Sequence, residues 1–273
     1  MKKILVPLDF SACSDNALQN AILIAERMHM ELILLHSYLI PVTMIEHAPG
    51  YLTQEIEYSE QSAKDQFDHM LKRFPQLGDM NFKKHVVTGP LLDAVRNIQK
   101  TEDLALVVMG THGASGLNRV LLGSNAYNVM KNVTCPVIAL PEKADLKGMK
   151  RIALAGDYKN ALNPSCLQPV IDLASTFYAE IAVIHIDQDK DLERHEMELA
   201  KRLEGYLKHV KHSFHFRTDF DVEEGLVAFA KDKKADLITM VNKRHSFLDW
   251  LAHGSETRRM MLDIPMPLMV LHE

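Results

Sequence analysis

Apolar residues follow two rhythms along this chain. Short unbroken runs, at residues 3–8, 31–37, 104–109 and 136–140, read as strands buried on both faces. Between them the apolar positions return every three or four residues. Ala17, Ala21, Ile24 and Met28 predict a helix over 14–28, which Ser14 or Asp15 can cap. An irregular stretch follows at 41–50, then a helix over 52–74 and a strand over 81–88. Gly89-Pro90 opens a further helix with proline at its first helical position. Strand 104–109, a helix over 124–132 and strand 136–140 complete the series. Strands alternating with helices predict an α/β fold, a doubly wound Rossmann-like parallel sheet with helices on both faces.

The series then starts again. Ile4-Leu5 returns as Ile152-Ala153, and Asp9 returns as Asp157. Glu31 to His36 returns as Glu180 to His185, and Ala105 to Met109 as Asp236 to Met240. Gly123-Ser124 returns as Gly254-Ser255, and Cys135-Pro136 as Met266-Pro267. Repeats in a fixed order imply duplicated structural units. Two tandem domains are expected, 1–143 and 149–273, joined by a short charged stretch and each built on a mainly five-stranded parallel sheet. The last strand of each unit is apolar and terminal, so it forms an edge in need of a partner. The second unit can supply that partner within one chain, which predicts a pseudo-dimer.

The segment 103–124 carries the candidate chemistry. An apolar strand runs into a glycine-rich loop with Gly110-x-x-Gly113, then nine residues, then Gly123-Ser124 at a helix start. Glycines allow close backbone approach, and free N–H groups at a helix start attract anions. Taken alone, such a loop is either an anion site or a tight turn. The Walker and G-x-G-x-x-G motifs are absent. The spacing G-x2-G-x9-G-[ST] resembles the ATP-binding signature of the universal stress protein family, as do GTHGASGLNRVLLGS and CPVIAL around it.

The resemblance implies nucleotide-binding residues at Pro7, Leu8, Asp9, Ser37, Met109, Gly110, His112, Gly113, Arg119, Gly123, Ser124 and Asn125. Asp9, at the end of the first strand, would accept from an adenine amino group or a ribose hydroxyl; a turn or helix-capping aspartate is the plainer alternative. Ser37 stands where the family is usually apolar, so only its backbone would contribute. Ser124 would add a hydroxyl to the β- or γ-phosphate, or serve as an N-cap. Arg119, the one cation inside the loop, is either a phosphate partner or a solvated arginine. His112 reads as a phosphate neighbour, not a base. The ligand implied is ATP, or AMP or ADP, with Mg²⁺ or Mn²⁺ accompanying the phosphates. In the family the last strand commonly pairs across a dimer.

The second unit keeps Asp157, Gly254 and Ser255, but Val241 and Arg244 fall where Gly110 and Gly113 should be. A branched side chain resists positive φ and crowds backbone approach, so no ATP is expected there in the usual mode. Asp157 is then left a structural role, beside Lys243 or Arg244. His209, His212 and His215 recur every three residues, which would suit metal ligands on a helix, but Ser213 to Phe216 alternates like a strand. Cys13 lies near a helix start, where a thiol pKa can fall, or is a buried thiol.

Composition narrows the class. The chain has 273 residues, 47% hydrophobic and 25% charged, with net charge −5, as in an ordinary globular protein. Both signs are scattered, so nucleic acid is not an expected partner. No run approaches the ~20 apolar residues of a membrane span. Three separated cysteines suit a reducing cytoplasm. The function expected is a cytoplasmic stress-response switch or sensor with little or no turnover. The alternatives are a slow ATP hydrolase or nucleotidyl-transfer enzyme, and a nucleotide-free interaction scaffold. Nucleotide, other proteins and a homodimer of the two-domain chain are its candidate partners.

Overall fold

Strands without a polar face must be covered on both sides, and here they are. The computed structural model describes residues 1–40, 49–112, 122–156, 164–187, 194–218, 222–242 and 266–272. In the first half, strands β1 (Lys3–Pro7), β2 (Glu31–Tyr38), β3 (Phe82–Thr88), β4 (Leu104–Gly110) and β5 (Val137–Leu140) alternate with helices. These are α1 (Ala12–Met28), α2 (Pro49–Arg73), α3 (Leu91–Thr101) and α4 (Ser124–Asn132). The second half repeats the order with β6 (Arg151–Ala155), β7 (Glu180–Asp187), β8 (His212–Thr218), β9 (Leu237–Asn242) and β10 (Leu268–His272). Its described helices are α5 (Gln168–Phe177), α6 (Arg194–Leu207) and α7 (Val222–Asp232).

All ten strands form one sheet in the order β3-β2-β1-β4-β5-β10-β9-β6-β7-β8. Each half contributes five parallel strands. The halves meet antiparallel at β5 and β10, with Leu268 opposite Ala139, Met269 opposite Ile138 and Val270 opposite Val137. Two terminal strands that would each be an open edge thus close against one another inside one chain. One face of the sheet is covered by α1, α2, α5 and α6, and the other by α3, α4 and α7. Among the described residues no helix is long and apolar enough to cross a membrane.

Local details depart from the sequence expectation where a polar side chain is buried. Ser11, not Ser14 or Asp15, caps α1, and its hydroxyl accepts from the Ser14 N–H at 3.2 Å. Ser14 lies inside the first turn, where its hydroxyl donates to the Ser11 carbonyl at 3.0 Å. Asp15 is held instead by an ion pair with Arg73 of α2. Pro90 is the N-cap of α3 and not its first helical residue, because its ψ of 138° is extended. The helix expected from residue 52 already begins at Pro49, and residues 41–48 lie outside the described residues.

The segment joining the halves is part of the core. Ala144, Leu146 and Met149 are buried. On α1, Asn16 Nδ2 donates to the carbonyls of Pro141 and Ala144, both at 2.8 Å. One turn on, Asn20 Oδ1 accepts from the Leu146 N–H at 2.8 Å. At the far end of α1, the Arg27 guanidinium lies 4.4 Å from the ring centre of Phe177 on α5, a cation–π contact between the halves.

Glu102 precedes β4 and ties together the starts of β1 and β3, which flank β2, pairing with Lys3 and, at 2.7 Å, with Lys83. These bonds, Lys3 first, pull its pKa from 4.5 down to about 2. A depressed carboxylate adds stability above its unfolded pKa and loses it as the pH falls through the folded value. Glu102→Gln is therefore expected to flatten the acid limb of a stability profile between pH 4.5 and about 2. Urea midpoints measured across that range check it.

Candidate functional site

In a doubly wound sheet, ligands bind beyond the carboxyl ends of strands where the strand order reverses. Here that reversal lies between β1 and β4. The chain leaves β1 toward β2 on one side and leaves β4 toward β5 on the other. Pro7, Leu8 and Asp9 end the first strand, and Met109 and Gly110 end the fourth, so these five of the sequence-predicted residues lie at the switch point.

Asp9 takes part in a turn. Its Oδ1 accepts from the Ser11 N–H at 3.1 Å and from the Ser11 hydroxyl at 2.6 Å. Phe10 beside it has φ +61°, unusual for a residue with a bulky side chain. Its ring is held 4.8 Å from His36 and edge-on to Phe67 at 5.2 Å. His36 Nδ1 in turn lies 2.8 Å from the Leu8 carbonyl oxygen, which fixes the backbone just before Asp9. The second half repeats this bond, His185 Nδ1 to the Gly156 carbonyl oxygen at 3.1 Å. Sequence reading passed over both histidines, although the duplicated Glu-to-His segment contained the signal. Ser37 lies on β2 opposite Val87 and is half-buried.

Gly110 is needed for close packing. A Cβ there would stand 2.8 Å from Cys13 Sγ and 3.2 Å from the Cys13 carbonyl carbon and oxygen. Cys13 is a buried thiol in the first turn of α1, with Sγ donating to the Leu140 carbonyl at 3.3 Å. Thr111 continues from β4, its N–H donating to Leu140 O at 3.0 Å, while its own carbonyl accepts from the Gly123 N–H at 2.6 Å. That bond clamps the start of α4 onto the end of β4. A Cβ on Gly123 would lie 3.1 Å from the Thr111 oxygen.

Gly123 is the N-cap of α4 and offers no side-chain bond to the first turn. Ser124 is therefore the first helical residue, not the cap. Ser124 and Asn125 are both exposed there. His112 is half-buried, Nδ1 3.1 Å from the Thr111 hydroxyl and Nε2 3.9 Å from a Glu142 oxygen. Gly113 and Arg119 lie outside the described residues.

The second half differs at the matching place. Gly110 sits opposite Leu140, and Val241 sits opposite Leu271 on the strand that repeats β5. Strand register therefore aligns Val241 with Gly110, as the sequence does. Asp157, Lys243, Arg244, Gly254 and Ser255 lie outside the described residues. The three spaced histidines do not share a helix: α6 ends at Leu207 and β8 begins at His212. His215 Nε2 lies 3.0 Å from the Ser213 hydroxyl, which donates to Glu180 at 2.8 Å. Cys135 is buried, and loss of solvation pushes its thiol pKa up to about 11, so it is a poor nucleophile.

Fold and site together define a tandem Rossmann-like protein in which the ends of β1 and β4 meet at the switch point of its first half. The model of the universal stress protein family matches residues 1–141, and the chain belongs to that family. Universal stress protein MJ0531 of Methanocaldococcus jannaschii is 29% identical over 142 residues, covering 51% of this chain and 81% of the relative. Universal stress protein MJ0577 of the same organism is 28% identical over 156 residues, covering 52% and 96%. Over the full length, a crystal structure of a universal stress protein from Archaeoglobus fulgidus shares the fold. Its TM-score is 0.72 at 18% identity, covering 99% of this chain and 96% of that one.

Proposed function

We propose that this is a stress-response protein that binds ATP, or AMP or ADP, in a unit spanning 1–143. Nucleotide occupancy would act as a switch, with little or no turnover. The observation that carries this reading is the clamp between Gly123 N–H and Thr111 O, which brings an uncapped helix start to the end of β4. Its first-turn N–H groups, with the Ser124 hydroxyl, suit a phosphate. Asp9, across the switch point, suits a ribose or an adenine amino group. The Asn125 amide, His112 and Arg119 would complete the phosphate end.

A divalent cation fits as a companion of the phosphates. Ser124 and Asn125 offer neutral oxygens at the helix start, so phosphate oxygens and water would supply most ligands to Mg²⁺ or Mn²⁺. The unit spanning 149–273 would bind no ATP in this mode, since Val241 stands at the glycine position. Calorimetric titration of ATP with Mg²⁺ into nucleotide-stripped protein tests the reading. One site per chain is expected, lost in Gly113→Val. Two equivalent sites, or none, would sink it. Multiple turnovers abolished by His112→Ala or Arg119→Ala would favour a hydrolase instead.

A further inference from the structure

The edge of the sheet where the parallel strands begin differs in charge between the two halves, close to neutral in the first and basic in the second. In the first half, Glu102 pairs with both Lys3 and Lys83, and Asp103 follows it. Counting back from the matched strand residues Leu106 and Leu237, Glu102 and Asp103 become Lys233 and Lys234. Register also matches Phe82 with His212, since each faces the second residue of its neighbouring strand. Gly78, Asp79 and Asn81 then become Lys208, His209 and Lys211.

Two acids beside these strand starts, Glu180 and Asp236, are engaged. Glu180 accepts from Ser213 and pairs with Arg151 and Lys211, each at 3.4 Å. Asp236 accepts the backbone N–H groups of Lys150 and Arg151 at 2.7 and 3.0 Å. Lys147, Lys150, Lys208 and Lys234 are exposed and have no carboxylate partner among the described residues. They precede β6, β8 and β9, within a span of four strands, about 14 Å at the usual strand spacing.

Two tyrosines stand at the same edge. Tyr178, which caps the end of α5, is 94% exposed with φ +54°, where glycine or asparagine is favoured. Tyr206, in the last turn of α6, is 48% exposed. Neither burial nor backbone preference accounts for tyrosine at 178. Helix-end electrostatics alone does not account for the lysines, because α3 is followed at the matching place by Glu102 and Asp103.

We propose that the strand-start edge of the second half is a docking surface for an acidic segment of a partner protein, with Tyr178 as its aromatic anchor. Lysines set charge complementarity and steer encounter, and an exposed tyrosine supplies amphipathic contact area. A short stripe on a chain of net charge −5 fits a peptide segment better than a long polyanion. An anionic membrane would need more apolar surface than two tyrosines provide.

Fluorescence anisotropy of a labelled ten-residue polyglutamate, titrated with the full chain, tests this. Salt-sensitive binding is expected, weakened about tenfold or more by Lys208→Glu with Lys234→Glu. Lys208→Gln with Lys234→Gln should give an intermediate loss, and Tyr178→Ala a smaller one. Lys64→Glu, an exposed charge reversal on α2, should leave binding unchanged. No binding, equal binding by the double charge reversal, or tighter binding to a ten-nucleotide oligothymidylate or to phosphatidylserine vesicles would overturn the proposal.

Discussion

Gly110→Ala is expected to lower the melting temperature of the chain by several degrees and to weaken ATP binding sharply. The new Cβ would stand 2.8 Å from Cys13 Sγ, and backbone atoms of Cys13 at 3.2 Å leave it no other direction to yield. Overpacking of this kind costs about 1–3 kcal/mol. In a chain of this size that corresponds to roughly 2–4 °C per kcal/mol. The strain falls between β4 and the first turn of α1, the two elements that bracket the proposed nucleotide. Pushing them apart would move Asp9 away from the loop. Cys13→Ala in the Gly110→Ala background removes the sulfur contact but leaves the backbone contacts, so partial recovery is the expected result. Thermal unfolding and ATP titration of the two variants beside the unsubstituted chain check it. A Gly110→Ala protein with unchanged melting and affinity would show that the contact relaxes freely.

Asn20→Leu should destabilise the protein by about 2–3 kcal/mol, despite the added hydrophobicity. Asn20 is buried, and its amide makes bonds that no apolar side chain can replace. The Leu146 N–H would lose its acceptor in a buried segment, and leaving a buried donor unpaired costs about 1–3 kcal/mol. Nδ2 bonds to the carbonyls of Asn16 at 2.9 Å and Ala144 at 3.3 Å would go as well. Asn16 would still hold Ala144, so the loss is graded and not total. Denaturant unfolding measures the drop. Faster amide exchange at Leu146 would locate it.

The architecture was legible in the sequence because its signals are local. Leu106 to Met109 are buried on both faces of the sheet, and such a run has few other readings. The repeat showed that β5 and β10 would be terminal strands needing partners, and each other was the available choice. Contacts between distant residues were not legible. Nothing in the spelling of Cys13 indicates that it fixes Gly110, 97 positions away. Ser14 reads as a cap because serine favours caps, yet a second serine three residues earlier takes that role and leaves Ser14 buried. Leu8 and Asp9 were recognised, but the His36 and Phe10 side chains that hold them were not, because their roles depend on neighbouring strands and a positive φ.

The antiparallel seam of β5 and β10 has a consequence for how such a protein can diverge. When two identical chains join edge to edge, every substitution appears twice, once in each copy. A valine at the proposed phosphate loop would then change both copies together. Here the seam joins two different stretches of one polypeptide, so Val241 can stand in one half while Gly110 persists in the other. Pairing between the halves is also intramolecular, at an effective concentration that dilution cannot lower. The second half is thereby free to differ from the first at the end of β9, while its strand still completes the edge of the first.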